Sequence, residues 1–155
     1  MTKAVIAILF GGIIAGSLDI TYACVHYGLV YDIPPTRIFQ SVAAGVYGGE
    51  AARAGGLTTA GVGLALHFLL TTIMAAFFVA WTRMVPALNR WPLLAGPTYG
   101  LAIFALMQFV VLPLSAAGGG NHPEGQFLLG GLLIHAFGVG YVIALIAKRF
   151  APQHA

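Results

Sequence analysis

The chain has 155 residues, of which 59% are hydrophobic and 7% charged, with a formal net charge of +3. A soluble domain carries about 25% charged residues, so these ionic groups are too few to cover a water-facing surface, and the length allows one domain. The small, scattered positive balance gives no basis for nucleic-acid binding, and the single cysteine, Cys24, excludes an internal disulfide or a CxxC motif.

A bilayer core about 30 Å thick is crossed by about 20 helical residues. The first stretch to meet that length is 4–31, AVIAILFGGIIAGSLDITYACVHYGLVY. With Lys3 ahead of it and Cys24 inside it, the stretch loosely resembles a signal peptide with a lipobox. Asp19 interrupts the apolar run and Tyr22 is bulky beside the supposed cut, so an uncleaved first helix is expected. Pro34 and Pro35 then break the helix. Residues 37–56, RIFQSVAAGVYGGEAARAGG, are mildly apolar and rich in Ala and Gly. They are expected to form a short helix on or dipping into the outer surface, in its plain form a connection between two spans. Its functional form is a lid with Glu50 facing inward.

The second span is expected at 59–81, between Arg53 and Arg83. The third, at 93–114, follows Asn89-Arg90-Trp91-Pro92, and the fourth, at 127–147, ends at Lys148-Arg149. None alternates in polarity as barrel strands of about ten residues do. The expected fold is therefore an all-α integral membrane protein, a four-transmembrane-helix bundle forming one domain over 1–155. Lys3, Arg83, Arg90, Lys148 and Arg149 fall on one side, Arg37 and Arg53 on the other. That bias predicts cytoplasmic termini, with Trp81 and Trp91 at the interface.

The two halves share short matches. IIAG at 13–16 pairs with LLAG at 93–96, and GLALH at 63–67 with GLLIH at 131–135. Same order and same orientation describe a candidate parallel 2+2 repeat about an axis along the membrane normal. Such a repeat would set His67 and His135 at equal depth on opposite walls. Counting along each helix agrees: each histidine lies about eight residues from the outer end of its span, roughly 12 Å at 1.5 Å per residue.

The polar residues of the spans collect in the same half. Asp19, Tyr22 and His26, spaced i, i+3 and i+7, share one face of the first helix. Thr71 lies one turn from His67, and Gln108 lies near the outer end of the third span. The inner halves of the second and fourth spans, IMAAFFVA and YVIALIA, are almost wholly apolar. Because ionisable groups in a membrane are costly, about 2.5–3.5 kcal/mol for a central Asp, this asymmetry predicts a polar cavity open outward and closed inward. Each residue also has a structural reading. Asp19 could bond a neighbour, and His67 could bond Thr71 and join helices. His26 would be solvated at the interface, and His122 and His154 lie outside the spans. Gly12, Gly16, Gly61 and Gly63 would let helices approach, and Met74 and Met107 would pack.

The runs AGSLDITYA, RIFQSVAAGVYGGEAARAGG, GLALHFLL, FVVLPLSA and GGLLIHAFGVGYVIALIAKR together resemble the YagU-like small bacterial inner-membrane proteins over nearly the whole chain. The resemblance implies a four-helix protein of the bacterial inner membrane. It draws attention to Asp19, His67 and His135 and implies no chemistry for them.

Four functions fit these residues. One is ligand binding between His67 and His135, with Asp19, Tyr22, Gln108 and Thr71 around it. The ligand would be haem b, held by two facing imidazoles, or a transition metal. The depth count places Asp19 about a turn too deep for a metal. Another is a proton- or cation-linked transporter, expected as a homodimer because four spans are few for one pathway. A third is an enzyme acting on lipid or quinone with a histidine base oriented by Asp19. Ser17 lies on a different face from Asp19 and Ser41 and Ser115 near the surface, so no serine nucleophile is evident, and Cys24 is a candidate with no indicated activating base. The last is a structural or accessory subunit in contact with membrane lipids.

Overall fold

The computed structural model describes residues 2–118 and 123–150; His122 and His154 lie outside them. Among the described residues all regular structure is helical, and four helices are long and apolar enough to cross a membrane. The protein is an all-α, multi-pass membrane bundle. Helix α1 (Lys3–Tyr31) starts at Thr2, whose side chain accepts from the Val5 N–H, and stops at Asp32 in the left-handed conformation. Helix α2 (Pro35–Tyr47) begins on Pro35, where a missing N–H costs nothing. Gly48, at φ 79°, separates it from α3 (Gly49–Ala54). The second span is α4 (Gly56–Met84), and a short α5 (Ala87–Arg90) leads to the third, α6 (Pro92–Leu114). The fourth is α7 (Gly125–Phe150). These bounds extend the four expected spans by one to three residues at most ends.

Phe10, Ile13, Leu69, Phe77, Phe109 and Leu129 are among many large apolar side chains left exposed, as a surround of acyl chains requires. Inside, small residues set the helix spacing. A methyl on Gly12 or Gly16 would collide with Thr72 or Thr71 of α4, and one on Gly96 or Gly100 with the α7 backbone. This is close packing of the small-residue kind that joins membrane helices.

Two ends of the bundle differ. The end that carries residue 3 and residue 150 is filled by a core drawn from all four spans, including Ala7, Ala75, Phe78, Ile103, Ile143 and Ala147. Tyr99 of α6 ties into it by donating to the Met74 carbonyl of α4 at 2.7 Å. The other end is capped by α2. A methyl on Gly63 would run into the Phe39 carbonyl, so α2 lies directly on α4. Ala43 and Ala44 of α2 are buried, and the Gly45 carbonyl accepts from Ala116 N–H after α6. The connecting segment is thus two helices built into the bundle rather than one resting on its surface.

The spans are not all regular. Helix α6 widens to a π-helix at Met107–Val111, just before Pro113, whose ring and missing N–H cannot continue the α ladder. Helix α7 is π-helical over Ile134–Tyr141. Neither widening has a counterpart in α1 or α4, which are α-helical throughout. The 2+2 relation therefore does not extend to the geometry around the two histidines.

Candidate functional site

Asp19 stands just past the middle of α1, about one turn beyond Gly16, which packs against Thr71 and Phe68 of α4. That contact brings in His67, which is 8% exposed. Its Nε2 lies 2.9 Å from the Gly16 carbonyl. A carbonyl only accepts, so this bond requires the proton on Nε2. The same nitrogen is 4.0 Å from Asp19 Oδ2. His135 approaches the other oxygen: its Nδ1 is 3.8 Å from Asp19 Oδ1. That Nδ1 also donates to the Gly131 carbonyl, one turn back on α7, at 2.9 Å. The carboxylate is therefore clasped by two imidazoles, one per oxygen. The separations exceed a direct hydrogen bond and fall in the range of charge attraction or a bridging water.

The expectation that Asp19 lies a turn below the histidines is corrected by this arrangement. Counting rise along separate helices ignores how the helices are offset, and the α1–α4 contact at Gly16 brings Asp19 level with both rings. The expected position of a guest between the rings is likewise taken by the carboxylate. Haem or a metal shared by His67 and His135 does not fit these residues as they stand. The nitrogens that converge carry protons committed to carbonyls, and metal ligation needs their lone pairs. Among the described residues no group of three or more His, Cys, Asp or Glu side chains is arranged to hold a metal ion.

Two cavities meet at Asp19. The larger, of about 580 Å³, is lined by Asp19 and His67 together with Arg37, Gln40 and Arg53 from the cap. The smaller, of about 340 Å³, is lined by Asp19, Tyr22, His26, Gln108 and His135. Each histidine thus belongs to a different cavity and Asp19 to both. Towards the other end the buried apolar core closes the bundle.

Tyr22 and Gln108 lie where the sequence places them, beside Asp19 and His135. Thr71 does not join the site. It is buried against Gly16 and donates to its own helix at the Phe68 carbonyl, 3.1 Å away. His67 reaches past it to the Gly16 carbonyl. Glu50 is exposed and lines neither cavity; the buried position on α3 is Ala52, and Arg53, itself exposed, lines the larger cavity. His26, expected to be solvated, is half-buried instead. Its ring stacks on Tyr22 at 5.1 Å and meets Phe127 edge-on at 4.7 Å. Arg37, Gln40 and Arg53 are the residues that sequence reasoning missed. The one available signal is the pair of arginines, Arg37 and Arg53, within the mildly apolar segment 37–56.

Comparison with protein-family models, curated proteins and solved structures finds no match to this chain.

Proposed function

We propose that this chain is a small proton-linked membrane carrier in which Asp19, flanked by His67 and His135, is the proton-exchanging group. The observation that carries the reading is the division of one carboxylate between two imidazoles, 4.0 and 3.8 Å away. Carboxylates and imidazoles are the side chains that pass protons within membranes, and they are kept there at a cost only function offsets. The two cavities give Asp19 access to water from the capped end, and the apolar core denies it from the other. Exposure of Asp19 to one side at a time is what alternating access needs. The π-helical turns beside Gln108 and around His135 place irregular backbone next to the site, where such turns often serve function.

The resemblance to YagU-like proteins is what points to the bacterial inner membrane, and the excess of Lys and Arg at the end opposite the cap supports cytoplasmic termini and a periplasmic α2 cap. Four spans per chain make a homodimer the expected working form. The resemblance to YagU-like proteins belongs to the same proposal: Asp19, His67 and His135 lie in the runs on which it rests.

The test is proton movement into liposomes that contain the purified full chain and a trapped pH-sensitive dye. An imposed gradient should drive acidification faster than in protein-free vesicles. No difference under any imposed pH gradient or membrane potential, with or without candidate solutes, refutes the reading.

A further inference from the structure

The larger cavity has a charged end that a proton site alone does not need. Arg37 and Arg53 are exposed at its capped side. Among the described residues neither guanidinium has a carboxylate within ion-pair distance, and the ion pairs that do form there are those of Asp19 with its histidines. One buried side chain bonds the guanidinium of Arg37 and the backbone of Arg53. Gln40, 5% exposed, accepts from Arg37 Nη1 at 3.0 Å and donates to the Gly56 carbonyl at 2.9 Å and to the Arg53 carbonyl at 3.5 Å. Arg53 in turn folds back over Gly49. Arg37 is therefore held at its guanidinium and Arg53 at its backbone, and both line the same cavity.

The same cavity is lined by the apolar Ile20, Ile38, Val42 and Leu112 and by the polar His67 and Asp19. The volume of about 580 Å³ is that of a small-molecule site. No lysine or arginine lines the smaller cavity, so the two differ in the charge they attract. Guanidinium forks match carboxylate, sulfonate and phosphate oxygens.

We infer that the larger cavity binds a small amphipathic anion, its acidic group at Arg37 and Arg53 and its apolar body against Ile20, Ile38, Val42 and Leu112. This names the solute class for the carrier proposed above and, in its transport consequence, rests on that reading: a monoanion and the proton of Asp19 would cross together without net charge. The binding itself rests on the arginines alone. The same chemistry is offered by a water-soluble organic anion and by the headgroup of an anionic lipid.

The experiment is titration calorimetry on the full chain in a neutral detergent, with three probes: hexanesulfonate, hexyltrimethylammonium and dihexanoylphosphatidylglycerol. Saturable binding of either anion is expected, with none of the cation. Sulfonate binding indicates an aqueous solute, and binding of the phospholipid alone a lipid headgroup. The R37Q/R53Q double variant should bind at least tenfold more weakly, and Glu50→Gln as well as the unaltered chain. Should the double variant fail to fold, Arg53→Gln alone keeps the Arg37–Gln40 link and should still lose severalfold. Asp19→Asn separates the two readings: proton flux should be lost, while anion binding should be at least as tight, because a negative charge leaves the cavity. Absence of anion binding, equal binding of the cation, or full affinity without the arginines overturns the inference and leaves the proton site untouched.

Discussion

Gly61 and Gly63 lie two residues apart on α4 and should answer very differently to the same methyl group. At Gly63 the added carbon would run into the Phe39 carbonyl and come within 3.0 Å of Ala43 N. Both are backbone atoms of α2, so no side chain can rotate away. Overpacking of this kind costs about 1–3 kcal/mol. If α2 lifts instead, the bond from Gln40 to the Gly56 carbonyl is lost, worth about 1 kcal/mol, together with the burial of Ala43 and Ala44. At Gly61 the same carbon meets nothing within 4 Å. Replacing glycine by alanine inside a helix gains about 0.8–1 kcal/mol at either site, so the gap between the variants isolates the collision. Gly63→Ala should be less stable than Gly61→Ala by about 1–3 kcal/mol. Unfolding in mixed micelles with increasing SDS, followed by circular dichroism, measures that gap. Equal transition midpoints would mean that α2 does not rest on α4 and that the cap over Asp19 has been misplaced.

His67→Asn should weaken the bundle by about 0.6–1.7 kcal/mol, the span measured for polar contacts between membrane helices, because the donor to the Gly16 carbonyl is shortened out of reach; the same unfolding assay reads it. Thr71→Val, by contrast, should leave proton flux unchanged, since Thr71 bonds only within α4; a loss of flux at normal stability would return Thr71 to the site. Purified protein should show no Soret band after haem supplementation and no stoichiometric transition metal by elemental analysis. Either signal, if lost in His67→Ala, would replace the proton reading with cofactor binding.

The spans were legible because bilayer thickness acts on length and polarity alone, both of which are local in sequence. The concentration of polar residues in one half of the bundle was legible for the same reason. What Asp19 does with the histidines was not. Its level relative to His67 depends on the offset between α1 and α4, fixed by Gly12 and Gly16 seating on Thr72 and Thr71, and no periodicity within one helix reports that. The asymmetry of the pair was hidden too, because GLALH and GLLIH read alike while only the second passes through a π-helix. How deeply segment 37–56 is built into the bundle was not legible, because its burial comes from partners distant in sequence, Gly63 on α4 and Ala116 after α6. Its arginines became part of a cavity only through that packing.

The most direct test compares proton flux in liposomes for the unaltered chain, Asp19→Asn and Asp32→Asn. Asp32 is an exposed carboxylate at the end of the same helix, and it lines neither cavity at Asp19. The account predicts that Asp19→Asn falls to the protein-free rate while Asp32→Asn keeps the full rate. Undiminished flux in Asp19→Asn, with the protein folded and inserted, contradicts it.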